Sequence, residues 1–138
     1  MKAIIIDDER LARKELASLL KDYNEIEIID EASHVDDAYE KILKLRPDLI
    51  FLDIQMPGKT GFDLLEMLDS VPHVIFTTAY DEYALKAFEV NALDYLLKPI
   101  QPERLGESIR KLLKKFYDQQ ARMEDQRSRK LTGEDQVF

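Results

Sequence analysis

The sequence predicts an α/β domain built on a wound parallel sheet, in which five strands alternate with five helices. Short apolar runs without polar interruptions recur along the chain, and such runs are typical of strands buried on both faces of a parallel sheet. Between them, apolar residues recur at intervals of three and four, which is the period of an amphipathic helix. Parallel neighbours need crossover connections, so this alternation predicts helices packed on the sheet faces. The pattern leaves the order of the strands open.

The five predicted strands share short runs rich in Ile, Leu, Val and aromatic residues. In chain order they are residues 3–6, 26–29, 49–52, 74–76 and 95–97. The five predicted helices each carry an apolar stripe at helical spacing. These stripes span residues 12–23, 35–45, 62–68, 84–88 and 105–116. Each strand is thus followed by one helix, and the unit repeats five times without an internal sequence repeat.

The last apolar stripe fades beyond Phe116, where Gln120 takes the next apolar position. We therefore expect one domain over residues 1–117, followed over residues 118–138 by a helix extension and a linker toward a missing C-terminal output domain. Residues 131–138 are predicted to form the first strand of that missing domain.

The composition excludes several classes of function. Acidic residues outnumber basic residues 28 to 20, and the net charge of −8 argues against nucleic-acid binding by the chain taken whole. The absence of cysteine excludes disulfides, thiolate zinc sites and cysteine nucleophiles, and two histidines are too few for a histidine-rich metal site. The longest apolar runs of about four residues are far shorter than the roughly 18 residues of a membrane span. We expect a soluble, cytoplasmic protein without membrane contact.

Polar residues follow the predicted strands where a parallel sheet binds ligands, outside the carboxyl ends of its strands. They are Asp7, Asp8 and Glu9 after the first strand, Asp53 after the third, Thr77, Thr78 and Ala79 after the fourth, and Lys98 with Pro99 after the fifth. Each group alone is typical of a helix cap or a turn. Their convergence at one edge of a sheet instead predicts a functional site.

The residue types indicate phosphoryl chemistry at that edge. Crowded carboxylates with no Cys or His nearby suit Mg²⁺, a hard cation that takes oxygen ligands. Asp53, at the centre of the edge, can serve as a nucleophile that forms an acyl phosphate. Lys98 and Mg²⁺ would offset the phosphoryl charge, while the Thr78 hydroxyl and the Ala79 N–H donate hydrogen bonds.

Four motifs resemble the signature set of response-regulator receiver domains, the CheY-like family. They are Ile-Ile-Ile-Asp-Asp-Glu, Leu-Asp-Ile-Gln-Met-Pro-Gly, Thr-Thr-Ala and Asp-Tyr-Leu-Leu-Lys-Pro. The resemblance covers residues 2–117, and residues 76–99 resemble the LytTR (LytR/AlgR) group of two-component regulators. It implies a flavodoxin-like, doubly wound (βα)5 fold with the strand order 2-1-3-4-5, for which CheY itself is a known example. It also implies a cis peptide bond between Lys98 and Pro99.

The resemblance assigns a chemical role to each residue of the site. It makes Asp53 the phospho-acceptor and Lys98 the cation that pairs with the phosphate. Asp7 and Asp8 would hold Mg²⁺, with Mn²⁺ as an alternative, and Asp8 would be the more direct ligand. Asp53 and the backbone carbonyl of Gln55 would complete the metal site.

The resemblance also implies a switch and a set of partners. Thr78 would be the switch hydroxyl and Tyr95 the switch aromatic. One partner would be a sensor histidine kinase, and DNA would be bound only through a LytTR output domain. A second copy of the chain would bind through the fourth helix and fifth strand, with Ala84, Phe88 and Val90 in the dimer face. Such a protein is a signalling phospho-acceptor that assists its own phosphorylation and dephosphorylation, rather than an enzyme.

Loop residues near Asp53 have expected roles of their own. Gly58 and Gly61 are predicted to shape the loop after the third strand. Gln55 and Tyr80 fall at positions where the family tunes hydrolysis of the acyl phosphate.

Two other functions remain as alternatives. A phosphate-independent pseudo-receiver would be expected to lack Asp53, Lys98 or the acidic pair, and the sequence retains them all. An aspartate-nucleophile phosphatase of the haloacid dehalogenase type would carry a second Asp two residues after the nucleophile, where this chain has Gln55. Nucleotide binding is disfavoured because no Gly-rich loop follows the first strand.

Overall fold

The computed structural model describes residues 1–132 of the 138-residue chain and shows one parallel five-stranded sheet between two layers of helices. The strands are β1 Lys2–Ile6, β2 Glu27–Ala32, β3 Leu49–Asp53, β4 His73–Thr78 and β5 Asp94–Leu97. The helices are α1 Arg10–Leu20, α2 Val35–Leu45, α3 Gly61–Met67, α4 Ala84–Glu89 and α5 Pro102–Thr132, with a 3-10 helix at Asp81–Tyr83 before α4. The order β2-β1-β3-β4-β5 confirms the predicted flavodoxin-like fold.

Alternate residues of the central strands pack into two separate cores, one on each face of the sheet. On one face, Ile4, Ile6 and Phe76 lie in the core that α2, α3 and α4 cover. On the other face, Ile5 and Phe51 lie in the core that α1 and α5 cover. Successive strand residues point to opposite faces, so an unbroken apolar run supplies both cores at once.

The two outer strands are less buried than their apolar runs predict. Every residue of β3 is buried, whereas β2 has a single buried residue, Ala32, and β5 has one, Leu96. The expectation of burial on both faces is therefore wrong for β2 and β5. The physical reason is their position at the sheet edges, where a strand has a neighbour on one side only.

The helices deviate from the predicted stripes in three places. Helix α1 ends at Leu20, so Tyr23 lies beyond the helix, although its side chain still packs against the core. In α4, Ala87 is buried but Phe88 is 79% exposed, so the α4 stripe does not mark a buried face. Helix α5 includes residues 131 and 132, so the prediction of a strand over residues 131–138 is wrong for these two residues. The remaining residues of that predicted strand, 133–138, lie outside the described residues. None of the described helices is long and apolar enough to cross a membrane.

Candidate functional site

The register of the sheet brings the predicted polar residues to one edge. Ile6 of β1 pairs with Leu52 of β3, so Asp7, which directly follows β1, and Asp53, the last residue of β3, lie at the same level. Thr78 of β4 pairs with Leu97 of β5, and the backbone N–H of Lys98 donates to the Thr78 carbonyl at 2.7 Å. The peptide bond between Lys98 and Pro99 is cis, as predicted. Parallel pairing alone therefore gathers side chains from four strand ends.

Three carboxylates converge at this edge. One carboxylate oxygen from each of Asp7, Asp8 and Asp53 lies within 4.8 Å of the others. Asp7 and Asp53 are each only 3% exposed, while Asp8 is more open to solvent. An oxygen-only donor set of this kind fits Mg²⁺ or Mn²⁺, which prefer carboxylate, carbonyl and water ligands.

The electrostatics of the cluster disfavour a charged Asp53 when no cation is bound. Burial, and next the negative charge of Asp7, raise the pKa of Asp53 from 3.8 to about 7, against the opposing effect of Lys98. The proximity of Asp8 also contributes to this increase. A divalent cation would relieve this repulsion, because opposite charge favours the ionised carboxylate.

Lys98 supplies positive charge to the cluster. Its Nζ lies 2.7 Å from Oδ2 of Asp7 and 3.7 Å from Oδ2 of Asp53. Burial by itself lowers the pKa of Lys98, but the hydrogen bond to Asp7 and the charge of Asp53 outweigh it and raise the pKa above its ordinary value. Lys98 is therefore a fixed cation beside the carboxylate of Asp53.

Two glycines shape the chain between β3 and α3, as the sequence predicts: Gly58 lies in the loop and Gly61 is the first residue of α3. Gly58 has a φ of +84°, a backbone conformation that residues with a side chain rarely adopt. A Cβ on Gly61 would lie 2.5 Å from the backbone carbonyl oxygen of Asp53, closer than real Cβ contacts come. Gly61 thus lets the loop return close to the residue that carries the candidate nucleophile.

The two predicted switch residues contact the backbone of the same residue, Tyr80. The Thr78 hydroxyl, fully buried, accepts a hydrogen bond from the Tyr80 N–H at 3.2 Å. The hydroxyl of Tyr95 donates to the Tyr80 carbonyl, which holds the ring partly outside the core. Ala79, whose N–H is predicted to donate a hydrogen bond to the phosphoryl group, lies between Thr78 and Tyr80 in the exposed segment after β4.

Two side chains outside the predicted set also reach the site. Arg13 of α1 donates from Nη1 to the backbone carbonyl of Asp7 at 2.7 Å. Tyr83 accepts a hydrogen bond from the side-chain amide of Gln55, which joins the β3–α3 loop to the 3-10 helix. Neither contact has a signal in the sequence, because each depends on how one long side chain crosses between elements.

Comparison with known proteins identifies the family. The family profile described as the response regulator receiver domain matches residues 3–110. This chain is a response regulator receiver domain. That assignment confirms the resemblance of the four motifs, and it leaves the aspartate-nucleophile phosphatase alternative without support.

The relatives of this receiver domain include regulators of the LytT type. It is 53% identical over 116 residues to an uncharacterized response regulatory protein of Vibrio cholerae, covering 83% of this chain and 49% of the relative. It is 46% identical over 117 residues to the sensory transduction protein LytT of Bacillus subtilis, covering 83% and 48%. The chain therefore spans about half the length of the curated relatives it matches.

Solved structures share the fold of this receiver domain closely. The response regulatory domain of protein mrkE from Klebsiella pneumoniae superposes with a TM-score of 0.78 at 35% identity, covering 86% of this chain and 99% of the other. The REC domain of AraT, a response regulator from Geobacillus stearothermophilus, gives 0.77 at 34% identity, covering 86% and 97%. The receiver domain thus belongs to a two-component response regulator.

Proposed function

We propose that this receiver domain accepts a phosphoryl group on Asp53 from a sensor histidine kinase, in a Mg²⁺-dependent reaction, and thereby controls a C-terminal output domain. The observation that carries the proposal is the surroundings of Asp53. Its buried carboxylate lies in a cluster with those of Asp7 and Asp8, and Lys98 Nζ is 3.7 Å away.

The chemistry follows from these groups. A carboxylate oxygen of Asp53 attacks the phosphorus of a phosphohistidine, the P–N bond breaks, and its electron pair stays on the histidine nitrogen. The product is an aspartyl phosphate, an acyl phosphate of the kind that carboxylate nucleophiles form. Lys98 pairs with the phosphoryl oxygens and offsets their charge.

The metal site in this proposal consists of the carboxylates of Asp7, Asp8 and Asp53 together with the backbone carbonyl of Gln55. These are the oxygen ligands that Mg²⁺ prefers, and Mn²⁺ is the alternative. When bound, the cation supplies positive charge that offsets the negative charge of the phosphoryl group.

The proposed response passes through Tyr80. Thr78 is the switch hydroxyl and, with the Ala79 N–H, donates to the phosphoryl group. As the Thr78 hydroxyl moves toward the phosphoryl group, it gives up its present contact with the Tyr80 N–H, and the Tyr80 carbonyl is the group to which Tyr95 is bound. A shift of this segment therefore releases Tyr95 to turn inward.

The proposed output extends beyond the described residues. Residues 1–117 form the receiver, and residues 118–138 lead to an output domain of the LytTR DNA-binding type, which the greater length of the relatives supports. Phosphorylation favours a homodimer through α4 and β5, where Leu85, Phe88 and Leu97 are exposed. The expected location is the cytoplasm.

Acetyl phosphate, a small-molecule phosphodonor, tests the proposal. Incubation with Mg²⁺ should retard the protein on a phosphate-affinity gel, and EDTA should prevent the shift. Asp53→Asn should remove it, whereas Asp69→Asn, a control at an exposed aspartate, should retain it. A shift that persists in Asp53→Asn would show that the phosphoryl group goes elsewhere, and no shift in the parent protein would refute the proposal.

A further inference from the structure

We propose that Arg13 is a positioning residue for the cation site of this receiver domain, acting through the backbone of Asp7 rather than through its own charge. The inference rests on the proposed function, because it assumes that Asp7 and Asp8 hold a divalent cation.

Arg13 spans the gap between two strand ends. Its Nη1 donates to the carbonyl oxygen of Asp7 at 2.7 Å, and its Nε donates to Oε1 of Glu31 on β2 at 3.1 Å. The Arg13 side chain is only 16% exposed. Because the guanidinium is planar and its donors are rigidly spaced, these two contacts fix both its position and its orientation.

The contact with Arg13 completes the fixation of Asp7. The Asp7 N–H donates to the Ala32 carbonyl at 3.0 Å, which extends the β1–β2 pairing by one residue. The two carboxylate oxygens of Asp7 are also engaged, Oδ1 by the Glu9 N–H at 2.9 Å and Oδ2 by Lys98 at 2.7 Å. Arg13 holds the remaining polar group, the carbonyl.

The direction of that carbonyl sets the position of Asp8. The Asp7 carbonyl belongs to the planar peptide unit that ends at the Cα of Asp8, so turning the carbonyl turns that whole unit. A guanidinium that holds the carbonyl therefore orients both carboxylates of the acidic pair. Groups that orient metal ligands in this way have large effects on metal affinity.

Charge and position give opposite predictions for the loss of Arg13. Removing a positive charge near a cation site reduces repulsion, and should strengthen Mg²⁺ binding. Removing a group that orients the ligands should weaken binding. Arg10 and Lys14 line the same groove as Arg13 and are exposed, so they serve as controls that lose the same charge without losing the contact with Asp7.

The experiment is a Mg²⁺ titration of the metal-free protein, followed by the chemical shifts of backbone amides near β1 and β3. Arg13→Gln should weaken Mg²⁺ binding about tenfold, at the lower end of the range for residues that orient metal ligands. Arg13→Lys keeps the positive charge but loses the rigidly spaced donors of the guanidinium, and it should also bind Mg²⁺ more weakly than the parent protein. Arg10→Gln and Lys14→Gln should bind Mg²⁺ as tightly as the parent protein or more tightly.

Thermal unfolding separates this role from a purely structural one. Substitution of a residue that only stabilises the fold changes the unfolding temperature in EDTA. It does not change the further increase in unfolding temperature that Mg²⁺ causes. Weaker binding reduces that increase at a fixed Mg²⁺ concentration. Should Arg13→Gln be unfolded in EDTA, Arg13→Lys carries the test with the same expected direction.

The outcomes distinguish this inference from the proposed function. Mg²⁺ affinity in Arg13→Gln equal to or above that of the two controls would overturn the positioning role while leaving the metal site in place. Failure of the parent protein to bind Mg²⁺ would overturn the metal site itself, and the positioning role with it.

Discussion

Lys98 makes its shorter ion pair with Asp7 rather than with the candidate phospho-acceptor: its Nζ lies 2.7 Å from Asp7 Oδ2, compared with 3.7 Å from Asp53 Oδ2. In this state the lysine chiefly compensates a buried carboxylate of the proposed metal site. A cation beside Asp7 would take over that compensation and leave Lys98 available to a phosphoryl group on Asp53.

The pairing predicts a stability cost for Lys98→Ala in metal-free protein. Removal of the lysine leaves the Asp7 carboxylate buried without its ion-pair partner. Because Lys98 is partly exposed, the free energy of unfolding should fall by about 1–2 kcal/mol, less than for fully buried pairs. Urea unfolding in EDTA measures it. Lys59→Ala, a control at an exposed lysine, should change stability little. Equal stability of the two variants would contradict the assigned pairing.

Lys98→Ala should also separate phosphorylation from the response to it. Acetyl phosphate should still modify Asp53, because the nucleophile and the carboxylates of the metal site remain. The chemical-shift changes at α4 that follow phosphorylation in the parent protein should be lost. A response at α4 as large as that of the parent would show that Lys98 does not sense the phosphoryl group.

The raised pKa of Asp53 predicts a pH-dependent stability in the absence of metal. Between pH 3.8 and about 7 the folded protein holds a proton on Asp53 that the unfolded chain releases, so stability falls as the pH rises through this range. Asn at position 53 cannot ionise. Asp53→Asn should therefore be more stable than the parent at about pH 8, on the order of 2 kcal/mol, and the difference should shrink toward about pH 4.

Denaturation in EDTA across this pH range measures the effect on stability. The control Asp69→Asn, at an exposed aspartate, should change the stability little. A difference between Asp53→Asn and the parent that does not vary with pH would contradict the burial of an ionisable group at this position.

The close approach at Gly61 predicts a strong effect of a single methyl group. Gly61→Ala places a Cβ against the backbone of Asp53 and should cost about 1–3 kcal/mol, as overpacking does. Gly106→Ala is the control, since its Cβ meets only the ends of flexible side chains, 3.2 Å from the Tyr23 hydroxyl, and alanine favours the helix. Similar stability of the two variants would refute the role of Gly61.

The exposed face of α4 predicts assembly on activation. Beryllofluoride with Mg²⁺, which mimics a phosphoryl group on Asp53, should shift the sedimentation of the protein toward a dimer at micromolar concentration. Phe88→Ser should prevent this at little cost in folding, because Phe88 is 79% exposed. Leu43→Ser, at an exposed residue of α2, should still dimerise. An unchanged mass with the mimic would remove dimerisation as the output.

The sequence predicts the fold and the composition of the site well because both depend on regular patterns. Five apolar runs specify five strands, and parallel pairing then brings Asp7, Asp53 and Lys98 together without further information. What the sequence does not predict depends on position in the sheet or on single side chains. The exposure of β2 follows from its edge position, which the apolar pattern does not encode.

The contacts made by long side chains illustrate the second limit. Arg13 and Tyr83 carry no periodic signal that separates them from other polar residues, and their contacts with Asp7 and Gln55 result from the path of each side chain across neighbouring elements. His34 is a related case, since its Nδ1 accepts from the Asp37 N–H and caps α2, a use that its isolated position in the sequence does not indicate.

Mapping of the modified residue by mass spectrometry tests the central claim most directly. After reaction with acetyl phosphate and Mg²⁺, the intact protein should gain the mass of one phosphoryl group. Peptide analysis should place it in the peptide that contains Asp53, and Asp53→Asn should gain none under the same conditions. A phosphoryl group in any other peptide, or an undiminished gain in Asp53→Asn, would contradict the account.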